Sequence, residues 1–521
     1  MTIPESDGES EKNRGMMDEQ RPSVWFLFLS VTLALLALPF LFVTYVPSTD
    51  LPQHLSQIKL FLSAVSAQTD SPYTIHYFGA NLLIYWVMLV FWSIIPPVLA
   101  GKVTMVVLAL SWALAIFILA RKEGRSPIAA MLSSVVIFNS SFYWGFVNYL
   151  IGFPLFVLWY LIVVKQHKEH VTSAHVAAIM VLSLFLFFAH SLWLVLAASV
   201  LVVLDLIKRA GWKNVIAHIG ALIPAMIVAG LWYPKLAATR TTMGFDTSPH
   251  WFVLPYERLH PQWIVNAVFG GLQGPSEWII LASIVLWIVV SIASNKKEFW
   301  ALVNKDLFII GIFLIIGVFG LPDKFMNTIS FASRWFPVAM IVLLLSLPIP
   351  RIPQVVYGAA AFFLLFLFTV TTAFAWSRFE QNELSGLSEA LEQVPENVRV
   401  LGLDYVKKSQ YIDGRPFIQT FSYAQVLHGG TLNFSFAEHN SGIVVPNSIS
   451  SVPQWTPGLE WVPEYVLQED IQKFDVVLIN APEDLHAMMP SLAPLTPITI
   501  DGRWRLYQVQ KSGRKGFVIT F

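Results

Sequence analysis

VWFLFLSVTLALLALPFLFVTYV, residues 24–46, runs directly into PSTDLPQH, residues 47–54. The first stretch is 23 residues without a charge. A helix needs ~20 such residues to cross a bilayer, whereas the apolar core of a secretory signal has only ~7–15. It therefore predicts a membrane helix that is retained. The second stretch sets one acid, Asp50, just beyond the helix end, with no other acid between Glu19 and Asp70. Leu51, Leu55, Ile58, Leu62 and Val65 then recur at spacings of four and three, which predicts an amphipathic helix lying along the bilayer surface. Asp50 can cap that helix, Gln53 can close a capping box and Pro52 suits its first turn. His54 follows one turn after Asp50, so both side chains can face one space. A carboxylate held away from water is the stronger base, as deprotonation of a hydroxyl requires.

The rest of the chain extends the membrane reading. Of 521 residues 55% are hydrophobic and 13% charged, against roughly 25% charged in a soluble domain. Further apolar runs fall at 103–120, 128–142, 149–164, 176–188, 192–206, 215–231, 278–292, 307–321, 336–347 and 355–375. Together they predict a mainly α, polytopic helix bundle of about eleven spans over residues 23–377. Residues 1–22 are rich in charge and predict a disordered cytoplasmic tail. Thirty-three Lys and Arg balance 33 Asp and Glu, which excludes a nucleic-acid partner. With no cysteine at all, thiolate metal sites, iron–sulfur clusters and cysteine nucleophiles are excluded.

Basic residues orient the bundle. With a cytoplasmic N-terminus, the connections holding Arg121, Lys122 and Arg125, then 165–170, 208–213, 296–305 and Arg351, all fall inside, as the positive-inside rule asks. Long loops at 47–102 and 232–277 and a short one at 322–334 then lie outside, at the extracytoplasmic face of the cell (inner) membrane. This requires the uncharged segment 82–95 to lie in the interface or re-enter, halted by Pro96-Pro97. An odd span count places residues 378–521 outside as well. There, strands are predicted at 398–403, 442–445, 476–479 and 504–509 and a helix at 482–489, giving a small mixed α/β domain.

Asp50-Leu51-Pro52-Gln53-His54, with Gly145-Phe146-Val147-Asn148-Tyr149-Leu150-Ile151-Gly152 opening the fourth span, resembles the uncharacterised bacterial members of the GT-C glycosyltransferases. These are membrane enzymes that use sugars carried on polyprenyl phosphates. The resemblance implies that Asp50 is the catalytic or metal-binding carboxylate of the first loop. It also implies a polyprenyl-phosphate-linked sugar as donor, a glycan or lipid acceptor and surrounding membrane lipid. Many members carry a paired acid in the first loop and another at the fourth span; here Asp50 stands alone and the second position is Asn148, which leaves a divalent cation (Mg or Mn) open.

A departing lipid phosphate calls for positive charge in a site with little water. Arg334, ahead of Trp335 and the tenth span, is the foremost candidate; Lys235, Arg240, Arg258 and Lys324 lie on the same side. His54 joins Asp50 as a catalytic candidate. Asn148, His190, His250, Glu257 and His260 are candidates for substrate binding, with Trp251, Phe252, Trp263 and Phe269 as aromatic surface. His218 reads as a packing histidine. The competing functions are a transporter or flippase for a lipid-linked substrate and a non-catalytic scaffold of envelope polysaccharide assembly. Against transport, the eleven runs hold no ionisable Asp, Glu, Lys or Arg except Asp205.

Overall fold

A computed structural model describes residues 21–67, 71–168, 172–242, 246–439, 442–447 and 468–511. The N-terminal tail reading falls almost wholly on residues outside this set. Each of the eleven apolar runs carries helix. Among the described residues six helices are long and apolar enough to cross a membrane: Pro22–Phe42, Pro97–Lys122, Val147–Gln166, Trp212–Ala238, Ser276–Leu302 and Gln354–Glu383. Large apolar side chains such as Leu27, Leu231, Leu286 and Phe363 stand exposed on them, the surface that hydrocarbon covers. The other runs form shorter helices, among them Ser173–Ala189, Ser191–Ile207 and Lys305–Gly320. The run at 128–142 is broken into Pro127–Ser133, a 3₁₀ turn at Ser134–Val136 and Ser140–Trp144.

The segment at 82–95 forms Leu83–Trp92, 10 residues long. At ~1.5 Å per residue that is about half the ~30 Å hydrocarbon thickness, so it does not span. It packs instead on the helix Leu51–Ala67, with the rings of Phe61 and Trp86 6.0 Å apart.

Four of the five basic connections meet at one end of the bundle. Lys208 pairs with Asp306 at 2.6 Å, Arg125 donates to the carbonyls of Leu302 and Ser346, and Arg351 pairs with Glu298. The longer loops meet one another at the opposite end. His250 bridges to Lys324 and Leu272 to Ile412, so loops 232–277 and 322–334 and the C-terminal region share one face.

That C-terminal region contains a five-stranded sheet of order β3-β2-β5-β7-β6, where β2 is Arg399–Asp404, β3 Thr431–Leu432, β5 Val476–Asn480, β6 Leu495–Pro497 and β7 Trp504–Val509. The pairs β2–β3 and β2–β5 are parallel; β5–β7 and β6–β7 are antiparallel. The expected helix is Glu483–Leu492. The strand expected at 442–445 belongs elsewhere: β4, Val444–Pro446, pairs antiparallel with β1, Tyr73–Ile75, in the first long loop. It stitches the domain to that loop.

The helix Leu51–Ala67 sits between bundle and domain, rather than half in water. Leu55 packs so closely on Gly101 that a Cβ there would stand 2.6 Å from Leu55 Cδ1. Its polar side is also buried: Gln53 Nε2 donates to Gln419 at 2.9 Å, Ser422 at 2.8 Å and the Phe434 carbonyl at 3.1 Å, and Gln53 Oε1 accepts from the Phe436 amide at 3.1 Å. What the sequence shows as a wet stripe is an interface.

Candidate active site

The two quoted motifs touch. The short helix Ser140–Trp144 ends at Gly145, which adopts the left-handed conformation at φ +78°. A helix end leaves its last carbonyls without partners, and the chain before Leu51 supplies them. Ser48 Oγ donates to Phe142 O at 3.0 Å, Thr49 N to Tyr143 O at 2.8 Å and Asp50 N to Trp144 O at 3.0 Å. Asp50 is thereby held against the Gly145–Gly152 motif, and His54 N donates to Asp50 O at 3.1 Å as the new helix begins. At the motif's other end Gly152 lies flat on Trp193, whose indole Nε1 donates to Tyr149 O at 2.7 Å.

Five residues named from the sequence line one cavity of about 170 Å³: Asp50, His54, Asn148, His190 and Arg334. Arg334 is 3% exposed. Its Nε donates to Ser330 O at 3.0 Å and Nη2 to Ile329 O, and its plane lies over Phe146 at 4.5 Å and Tyr149 at 5.3 Å. The Tyr149 hydroxyl donates to Arg334 O at 2.9 Å. Two edges of the guanidinium are thus taken by backbone carbonyls. Nη1 has no protein acceptor among the described residues and remains for an anion.

Both histidines are neutral at pH 7. Burial pushes His54 down to about 3, opposed by a backbone hydrogen bond with Gly145. Its Nδ1 lies 2.9 Å from the Tyr85 hydroxyl and its ring meets Phe436 edge-on at 5.2 Å. Burial, then the charges of Arg334 and Arg240, hold His190 well below its usual range. His190 Nδ1 accepts from Leu192 N at 3.2 Å as the N-cap of Ser191–Ile207, which places the ring proton on Nε2. Burial, and secondarily the nearby Asp50 carboxylate, raise the Tyr85 hydroxyl and keep it protonated.

The other candidates stand elsewhere. Arg240 lies within electrostatic reach of His190 but not in the cavity wall. Arg258 is fully buried, donating to Val318 O at 2.6 Å and Leu321 O at 2.7 Å with Asp323 3.1 Å away, so it caps the helix Lys305–Gly320. His250 pairs with Asp246, and its backbone exchanges hydrogen bonds with that of Lys324. Glu257 accepts from Leu254 N at 2.9 Å, and His260 caps Pro261–Val268. Charge and aromatic content drew attention to this loop, yet these polar groups bond within the loop or to the end of Lys305–Gly320 and the 322–334 loop.

Sequence reading passed over Asn81, Tyr85, Thr328 and Phe436 in the cavity wall. Nothing in the local pattern marks them, since loops far apart in sequence bring them together. Phe436 comes from the C-terminal domain. Beside the cavity, on the far side of Trp335, an apolar groove of about 290 Å³ runs between Ser191–Ile207 and Lys305–Gly320, lined by Leu192, Leu196, Phe313, Gly317, Phe331 and Trp335 among others.

A divalent cation at this cavity would have a single carboxylate of this chain to hold it. Mg²⁺ and Mn²⁺ are bound by several oxygens with carboxylates among them. Asp50 is the one carboxylate in this wall, and no group of three His, Cys, Asp or Glu side chains among the described residues is placed to hold a metal.

No family model and no curated protein sequence matches the chain. Solved structures do. ArnT from Cupriavidus metallidurans in the apo state superposes with TM-score 0.51 at 12% identity, covering 94% of this chain and 99% of that one. The same protein bound to undecaprenyl phosphate gives 0.50 at 11% identity, covering 94% and 98%. The arabinofuranosyltransferase AftD from Mycobacteria gives 0.44 at 12% identity, covering 94% of this chain and 41% of that one. At such identities what is shared is the architecture: this multi-pass membrane chain has the fold of ArnT.

Proposed function

We propose that the chain is a membrane glycosyltransferase that moves a sugar from a polyprenyl-phosphate donor to an acceptor hydroxyl at the extracytoplasmic face. The observation that carries this reading is the meeting of Asp50 and Arg334 in one cavity beside an apolar groove. Undecaprenyl phosphate bound to ArnT, a chain of like fold, supports the lipid class.

The groove takes the first isoprene units of the donor, and the phosphate sits at its mouth against Arg334 Nη1. His190 Nε2–H adds a neutral donor there. The acceptor enters on the Asp50 side. Asp50 takes the proton from the acceptor hydroxyl while that oxygen attacks the anomeric carbon. The bond from the anomeric carbon to the phosphate oxygen breaks, and its electron pair leaves on the lipid phosphate, where Arg334 meets the growing charge. Attack opposite the leaving group inverts the anomeric centre. His54, neutral and bonded to Tyr85, keeps the start of the helix Leu51–Ala67 in place and is not itself the base. The basic connections at the far end of the bundle support placing the cavity outside.

The test is transfer by the purified chain in detergent from undecaprenyl-phosphate sugars to a hydroxyl acceptor, read by mass spectrometry. Product that depends on Asp50 supports the reading. Equal product from Asp50→Asn contradicts the base assignment.

A further inference from the structure

The aromatic loop after the helix Trp212–Thr242 is built inside out. In WFVLPYERL, residues 251–259, Phe252, Tyr256 and Leu259 are 69%, 68% and 65% exposed and Trp251 and Leu254 are exposed too, while Arg258 is 0% exposed. A loop facing water shows the reverse, because a guanidinium is costly to bury and an open ring gains nothing from water. Single exposed apolar side chains are ordinary, but five of them around a buried arginine mark a surface with a partner. Bonds hold this orientation. Arg258 reaches the Val318 and Leu321 carbonyls, with its plane over Trp263 at 5.6 Å. Trp251 Nε1 donates to Gly320 O at 3.3 Å, and Val253 N to Asp323 Oδ2 at 2.9 Å. Glu257, the other ionised side chain of the segment, accepts from Leu254 N. Depth follows from the same contacts. Gly320 and Leu321 end the helix Lys305–Gly320 at the end opposite Asp306 and its partner Lys208. Exposed apolar side chains run up to that level, Ile316 and Leu321 there and Trp278 and Ile279 in the first turn of the membrane-crossing helix Ser276–Leu302. The open rings of the loop therefore continue the surface that hydrocarbon covers.

We infer that residues 251–259 are an interfacial anchor seated in the leaflet on the cavity's side of the membrane, with Phe252, Tyr256 and Leu259 among the upper acyl chains and Trp251 at the headgroup boundary. The inference rests on the membrane reading alone and holds whatever the cavity transfers. Tryptophan and tyrosine suit that boundary, since each joins an apolar ring to one polar group. The partner is the lipid surface and not a glycan. A glycan site sets polar side chains beside its rings to meet hydroxyls, whereas here Arg258 is turned inward onto carbonyls and Asp323 and Glu257 is bonded to the loop's own backbone.

The chain has no cysteine, so single ones can be introduced and labelled. Full-length Phe252→Cys and Tyr256→Cys, each carrying the fluorophore NBD, are placed in nanodiscs of phosphatidylethanolamine and phosphatidylglycerol, with labelled Met488→Cys as the control. Met488 is exposed on Glu483–Leu492, which covers the sheet face turned away from the core of the bundle. The discs also hold phosphatidylcholine with a nitroxide near the top of its acyl chain. Both loop labels are expected to lose at least about half their emission to that lipid and the control almost none, because an interfacial segment sits ~5–10 Å into the boundary of headgroups and acyl chains. Iodide in the water should quench the control at least about fivefold more strongly than the loop labels. Loop labels open to iodide and indifferent to the nitroxide lipid overturn the inference. Emission that responds to added maltohexaose and not to the nitroxide lipid assigns the rings to a glycan and likewise overturns it. So does shielding from both quenchers, which assigns them to a second copy or another protein.

Discussion

A Cβ placed on Gly145 would stand 2.7 Å from the backbone nitrogen of Asp50 and 2.9 Å from Ser48 Oγ. The glycine is therefore part of what positions the candidate base: it lets the turn after Ser140–Trp144 lie directly on the chain that carries the carboxylate. Gly145→Ala is expected to cost about 1–2 kcal/mol for the left-handed backbone alone, and to push Asp50 out of line. Transfer should fall at least about tenfold, since small misplacements at a reacting centre are expensive. Gly220→Ala, inside the helix Trp212–Thr242 where nothing lies within 4 Å, is the control and should leave transfer unchanged and the melting temperature no lower.

Asp50→Asn keeps shape and removes the base. Proton abstraction by a positioned side chain contributes about 10²–10⁴ to rate, so turnover should fall by that factor while bare undecaprenyl phosphate binds as before. Loss of lipid binding together with turnover would show that Asp50 organises the cavity instead of taking the proton.

Arg334→Lys retains the charge but not the fork that bonds Ser330 O and Ile329 O, nor the flat stacking on Phe146 and Tyr149. Lysine is a poor substitute at a stacked, multiply bonded site. The expected result is an affinity for bare undecaprenyl phosphate at least about tenfold weaker, measured by fluorescence quenching. Unchanged affinity would move the phosphate elsewhere.

Much of this was open to reading in the primary structure, and the division is physical. A 23-residue uncharged run and a lone acid after it report on single segments, so the apolar helices and the nearness of Asp50 to the 145–152 motif were legible. The place of Arg334 in the cavity wall was legible because a cation at the mouth of an apolar helix stands out. Arg258 looked equivalent and is not: whether a guanidinium faces a ligand or three carbonyls depends on where the end of Lys305–Gly320 comes to lie. The cavity wall supplied by Asn81 and Phe436, and the pairing of β1 with β4, depend on contacts from 67 to several hundred residues apart along the chain, where periodicity carries no information.

His54 makes stability depend on acid. Its folded pKa of about 3 lies below the ordinary histidine value, which is ~6.5 in an unfolded chain. Between those values the unfolded chain binds a proton that the folded chain does not. Stability from this residue is therefore full above about pH 6.5 and falls as pH drops towards 3, by up to about 1.4 kcal/mol per pH unit. His190, also depressed by burial, acts in the same direction. Thermal melts in detergent from pH 4 to 7.5 should show the melting temperature declining below about pH 6.5, and His54→Gln should flatten the slope. Equal slopes in the two proteins would remove His54 from the account.

Gln53 joins the cavity to the C-terminal domain. It sits one residue before His54 and makes four hydrogen bonds to that domain, one of them from the amide of Phe436, whose ring rests against His54. Gln53→Leu fills similar volume but leaves the partners in Gln419, Ser422 and the Phe434–Phe436 backbone unsatisfied, at about 1–3 kcal/mol for each buried group that finds no substitute. The domain would still be held by β1–β4 pairing and by Glu380, which accepts from the amides of Thr44 at 2.7 Å and Tyr45 at 2.9 Å. The expected outcome is a folded protein with a lowered melting temperature and faster protease cleavage around residue 436. Transfer should drop several-fold, because the wall that Phe436 supplies to the cavity loosens. Faster cleavage with full transfer would show that the domain is anchored through Gln53 without shaping the site.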